Sequence, residues 1–267
     1  MFNTPGDASK ELALHIARLI RQKPDAVLGL PTGNTPRLLY RELIRLHREE
    51  DLDFSRVTTF NLDEYVGLPK GHDGSFYKFM RRNFFDAVNV PPEQIHLPDG
   101  MAADLSAACD AYEEAIAQAG GIDLMVLGIG GNGHIGFNEP GTSFHSRTRV
   151  SALTNRTLSD NAFFFDGDSD RVPRKSITMG IRTILEARSC ALIAFGAAKA
   201  RPVADAVQGP VTTLVPASAM RSHPNAVWLL DSEAAALIRK QPQPAQPSPG
   251  KMSWKSETPE VPGGVRV

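Results

Sequence analysis

AVLGLPTGNTPRLLYRELIRLHREE (residues 26–50) joins a short apolar run, a turn and an amphipathic segment. AVLGL has the length and composition of a buried strand, and PTGNTP supplies turn residues. Leu39, Leu43 and Leu46 then recur at helical spacing, with Thr35 expected as N-cap and Pro36 at the first helical position. The unit reads as strand, tight turn, helix.

The same alternation extends in both directions. KELALHIARLI, from Ser9, places Leu12, Ile16 and Leu19 on one helical face. Downstream, RVTTFNLDEY reads as a strand running into a loop, SFYKFMRRNFF and DLSAACDAYEEAIAQAG as helices, and DLMVLGIG as a strand entering a glycine loop. After a less regular stretch come CALIAFG (strand), AAKARPVADAVQ (helix, despite Pro202), NAVWLLD (strand) and SEAAALIRK (helix). Parallel strands need crossover helices, so this order predicts an α/β protein with a mostly parallel sheet covered on both faces. Residues 1–240 are expected to form a single domain. From Gln241 the chain carries six prolines and almost no apolar periodicity, which predicts a flexible tail over 241–267.

Composition bounds the partners. Lys plus Arg number 29 and Asp plus Glu 30, so no global field favours nucleic acid or an anionic membrane, and an anionic ligand would need a local site. No apolar run approaches the ~20 residues of a membrane span, and no signal-like segment opens the chain, so a cytoplasmic protein is expected. Cys109 and Cys190 lack the spacing of a zinc set or a redox pair and read as buried thiols. No metal-binding motif is apparent.

Parallel sheets bind ligands beyond the carboxyl ends of their strands. GIGGNGHIGFNEP (residues 128–140) holds G-x-G-x-x-G at Gly128, Gly130 and Gly133, the spacing of a dinucleotide turn. The third glycine of such a turn opens a helix, but here Gly136, Pro140 and Gly141 interrupt one, which argues against a nucleotide. His134 instead stands among small residues, with Asn132 and Glu139 as polar neighbours able to orient its ring, and its functional reading comes ahead of a structural one. The helix-opening turn is PTGNTP, where free N–H groups and the helix dipole suit a phosphate; a capped helix with a tight turn fits that stretch equally well. Asp63 and Glu64 end another strand and would point apart in an extended chain; taken alone, a solvated acidic turn is the simpler reading. Lys199 follows CALIAFG at a helix start, as a phosphate contact or equally as a surface lysine.

Together, LGLPTGNTP, TFNLDEYVGL, GIGGNGHIGFNEPGTSFHSRTR and FGAAKA resemble the glucosamine-6-phosphate deaminase (isomerase) family over residues 27–237. The resemblance implies a modified Rossmann-like sheet and cofactor-independent conversion of glucosamine 6-phosphate to fructose 6-phosphate and ammonia. It implies Asp63 as the enolising base, His134 as the acid/base of ring opening, and Asn132 and Glu139 as its supports. It also implies that Thr32, Gly33, Asn34, Thr35 and Lys199 hold the substrate phosphate, and that residues 153–173 form a lid. The chain departs from the family where a phosphate-binding arginine aligns with Phe163; either Arg171, Arg174 or Arg182 would compensate, or affinity for the phosphate would be lower. Asn132 replaces the aspartate of some members; its amide would accept from the His134 ring, leaving Glu139 to offset imidazolium charge. Arg149 matches an effector-site arginine, but Ser151 replaces the lysine that accompanies it, which predicts weak or absent allosteric activation and leaves oligomeric state open. The rivals are 6-phosphogluconolactonase, a deaminase for the galactosamine epimer, and a sugar-phosphate-sensing module without catalysis; no DNA-binding extension of the last kind is expected.

Overall fold

The first helix, α1 (Pro5–Gln22), starts four residues before the periodic stretch at Ser9, because Thr4 caps it by accepting from Asp7 N–H and Pro5 sits at its first position. A computed structural model describes residues 1–239; the tail expected from Gln241 lies outside the described residues. Next come β1 (Val27–Leu30) and α2 (Arg37–Glu49). Here the expected cap is corrected: Pro36 occupies the N-cap position and no side chain bonds the first turn. The Arg37 N–H bonds Asn34 O at 3.3 Å, so the turn tightens before the helix and Thr35 is released from capping.

The chain continues through β2 (Thr58–Asn61), β3 (Asp63–Tyr65), α3 (Phe76–Asn83), β4 (Ile95–His96), α4 (Leu105–Gln118) and β5 (Leu124–Leu127). Then follow β6 (Arg149–Ala152), α5 (Asn155–Asn161), β7 (Lys175–Thr178), α6 (Ile181–Leu185), β8 (Ser189–Ala194), α7 (Ala200–Gln208) and β9 (Ala226–Leu230). Pro202 is tolerated because it is the third residue of α7, where a helix has no internal acceptor for the N–H.

The main sheet is parallel, in the order β4-β2-β1-β5-β8-β9. Leu28, Leu30, Val126 and Ile193 pack toward α1, α2 and α3, while Val27, Met125, Leu127 and Leu192 pack toward α4, α6 and α7. Both faces are therefore covered, as the alternation predicts. After β1 the chain runs outward to β2 and β4, then returns to β5 on the other side of β1. That reversal opens a crevice beyond the carboxyl ends of β1 and β5.

Two features differ from the sequence reading. The strand ending in NLDEY does not run into a loop: β3 pairs with β7, and β7 with β6, in a separate antiparallel sheet. Tyr65, Phe76, Phe137, Leu158 and Phe165 form a satellite core beside it. SEAAALIRK is not a helix either. The Asp231 carboxylate accepts from Ala234 N–H at 2.8 Å and from Gly196 N–H at 3.0 Å, fixing a turn after which the bonding contracts to the i→i−3 type at Ala236 and Ile238. No helix among the described residues is long and apolar enough to cross a membrane.

Candidate active site

Beyond β1 and β5 lies a cavity of about 320 Å³. Part of its wall is the turn after β1, with Thr32, Gly33, Asn34 and Thr35. Gly33 adopts φ +99°, which a side chain would strain, and the chain can turn there directly into α2. Because no side chain caps α2, the positive end of its dipole is left to the occupant of the turn. Lys199, half-buried just before α7, lines the same cavity. Burial pulls its ammonium below the usual lysine range; Asp160 opposes that shift and Arg156 adds to it.

The adjacent carboxylates Asp63 and Glu64 part as an extended backbone requires. Asp63 lines the cavity, while Glu64 accepts from the backbone N–H groups of Tyr65 (2.8 Å), Phe76 (3.1 Å) and Tyr77 (2.9 Å), tying β3 to the start of α3. The Asp63 carboxylate makes no hydrogen bond or ion pair within the described residues, and the residue is 6% exposed. Burial, and then the charge of Glu64, push its carboxyl up to about 8. Near neutrality the carboxyl therefore keeps its proton instead of standing as a structural ion.

His134 faces the cavity from the loop after β5. A Cβ added at Gly130 would collide with its ring, so the imidazole lies flat on that glycine. Its Nδ1 faces Glu139 Oε2 at 3.7 Å, an electrostatic contact longer than a hydrogen bond. Burial works against ionised Glu139, but contact with His134 and the hydroxyl of Thr157 win, and the carboxyl is held down at about 2. Asn132 acts differently from the sequence expectation. Its Oδ1 accepts from the backbone N–H of His134 (3.2 Å) rather than from the ring, and its Nδ2 donates to Glu139 Oε2 (2.7 Å). Asn132 thus shapes the loop and aims Glu139.

The structure brings Thr32, Gly33, Asn34, Thr35, Asp63, His134 and Lys199 to one cavity, with Asn132 and Glu139 behind His134. It does not bring the compensating arginines there. Arg171 pairs with Asp166, Arg174 with Asp170 and Arg182 with Glu186, all at exposed positions, and none lines the cavity. Phe163 is 65% exposed, whereas its neighbour Phe164 lines the wall together with Asp160 and Asn161. Sequence reasoning missed Thr154 and Thr157. Thr154 caps α5, and both hydroxyls donate to Glu139 Oε1, Thr154 at 3.2 Å. The hydroxyl before a short polar helix was the available signal, but nothing in sequence pointed it at Glu139.

The profile of the glucosamine-6-phosphate isomerases/6-phosphogluconolactonase family matches residues 5–228. The chain belongs to this family. Within it, the chain is 51% identical over 240 residues to a glucosamine-6-phosphate deaminase of Pseudarthrobacter chlorophenolicus, covering 90% of this chain and 92% of that protein. It is 47% identical to glucosamine-6-phosphate deaminase 1 of Giardia intestinalis, covering 87% of each. Among solved structures, a protein described as a monomeric glucosamine-6-phosphate deaminase superposes with TM-score 0.86 at 45% identity, covering 88% of this chain and 97% of that one. The 6-phosphogluconolactonase of Trypanosoma brucei shares the fold, with TM-score 0.71 at 21% identity over 90% of this chain and 97% of that one.

Proposed function

We propose that this chain converts glucosamine 6-phosphate and water to fructose 6-phosphate and ammonia. The observation that carries the reading is one cavity lined by an unpaired buried carboxyl, an imidazole, the turn before an uncapped helix start and a lysine. Its about 320 Å³ suits a small ligand such as a six-carbon sugar phosphate. Thr32, Gly33, Asn34, Thr35 and Lys199 hold the phosphate. His134 moves a proton from the anomeric hydroxyl to the ring oxygen and opens the pyranose; Glu139, ionised and aimed by Asn132, stabilises the imidazolium formed on the way. The exposed aldehyde acidifies the hydrogen on C2, and Asp63 carries that proton from C2 to C1. The ketose imine then adds water and expels ammonia. A base pulled up to about 8 binds the carbon proton more strongly than an ordinary carboxylate, and the substrate's ammonium beside it favours the ionised form it needs.

The test is to incubate purified protein with glucosamine 6-phosphate and measure ammonia and fructose 6-phosphate together. Equal release of both supports the reading; tight binding without turnover replaces it with a sensing role. Running the galactosamine epimer beside it decides sugar preference, and 6-phosphogluconolactone tests the hydrolytic rival, which has no need of a C2 base. Both cysteines are free and buried, in keeping with a cytoplasmic setting. The nearly balanced charge of the sequence fits a small-molecule partner rather than nucleic acid or membrane.

A further inference from the structure

Two arginines close to the cavity have no carboxylate partner within the described residues, Arg37 and Arg156. Arg37 is committed elsewhere: its guanidinium lies 5.6 Å over the Phe79 ring. Arg156 is different. It is an exposed residue in the first turn of α5, and no hydrogen bond or ion pair within the described residues restrains it. Its guanidinium lies over Gly131, where an added Cβ would sit 2.6 Å from Nη2, 3.1 Å from Nε and 3.2 Å from Cζ. Gly130 floors the His134 ring and Gly131 floors the Arg156 fork, so consecutive glycines seat both groups side by side.

Arg156 also acts electrostatically on Lys199, the cation already in the cavity wall. Two cations acting on each other, with only Asp160 offsetting the charge of Lys199, are an arrangement that an oxyanion relieves, and a guanidinium fork can take two of its oxygens at once. We propose that Arg156 is a second cation of the phosphate subsite, reaching from α5 to grip the substrate phosphate opposite Lys199. This rests on the phosphosugar reading above and adds a residue to it. The same helix presents Thr154 and Thr157 to Glu139, so the element that grips the phosphate also fixes the carboxylate behind His134. Asp160, one turn along α5 and lining the cavity, competes with the phosphate for Lys199.

The experiment uses the whole protein and reads KM for glucosamine 6-phosphate together with the Kd of inorganic phosphate by calorimetry. Arg156→Ala raises both about tenfold or more, the scale of a lost charge-assisted hydrogen bond. Arg156→Lys recovers part of the loss, and Asp160→Asn lowers both values. Arg171→Ala, whose partner is Asp166 outside the cavity, leaves both unchanged. Arg156 is exposed and unpaired, so an unaltered melting temperature shows that the variants fold. If Arg156→Ala binds phosphate and saturates with sugar phosphate as the parent does, the proposal is overturned while deamination stands. If phosphate binding depends on Arg156 but no ammonia is released, the proposal stands and the deamination reading falls.

Discussion

Asp63 and Glu64 show how far neighbouring atoms separate identical chemistry. Glu64 has three backbone donors and works as a brace; Asp63 has none and is left holding a proton near neutrality. Asp63→Asn should abolish solvent exchange of the C2 hydrogen while leaving phosphate binding nearly intact, measured by mass spectrometry of recovered sugar phosphate. Unchanged exchange would remove Asp63 from the reaction. The substitution also has a stability signature. The folded pKa of about 8 lies above the ordinary 3.8, so the contribution of Asp63 is complete below about pH 3.8 and is lost as pH rises through 8. Asp63→Asn lacks that slope, so denaturant unfolding should show it gaining on the parent between pH 5 and 8.5, by more than about 1 kcal/mol. The sequence announced this pair by position, at the end of a strand with opposed side chains. It could not announce which carboxylate α3 would claim, because that depends on a helix start eleven residues beyond Tyr65 in the chain.

Helix α5 is held less by its own seven residues than by what its ends touch. Thr157→Val removes a donor from Glu139 and should cost activity about tenfold, read as kcat with KM little changed. Glu139 is depressed to about 2 from 4.5, so its stabilising contribution is present above pH 4.5 and lost as pH falls through 2. With a donor gone the folded pKa rises and the contribution shrinks, so the acid-unfolding midpoint should move to higher pH. Elements with strong periodicity, such as α2 and β5, were legible because each buries a stripe or a continuous apolar run. The strands RVSA and KSIT were not: they are four residues each and at least half polar, and only their mutual register with β3 makes them a sheet. The alanines of SEAAALIRK carry helix propensity, which the bonding of Asp231 overrides.

Across the described residues, the cavity gathers the turn after β1, Asp63 of β3, the loop after β5, residues of α5 and Lys199 just before α7. A ligand filling it ties the parallel sheet to the smaller antiparallel one and to α5. Fructose 6-phosphate at about 100 times its Kd should therefore stabilise the fold by about 2.7 kcal/mol, and a thermal melt should rise by several degrees. Inorganic phosphate at the same absolute concentration should do less, because it occupies part of the site only. A melt insensitive to the sugar phosphate would contradict a site spanning these elements. The crevice was legible from the order of strands and helices, but the second sheet and the α5 contacts depend on tertiary pairing that periodicity does not encode.

The glycines that first looked like a nucleotide turn end as something else. Neither Gly130 nor Gly131 has a positive φ, so the backbone accepts alanine at both. One methyl group at 130 would evict the imidazole, and one at 131 the guanidinium. Gly130→Ala should abolish turnover yet keep phosphate affinity; Gly131→Ala should weaken phosphate affinity yet keep residual turnover at saturation. The loop thus offers a pair of independent switches, each the size of a single carbon, for separating proton chemistry from substrate capture.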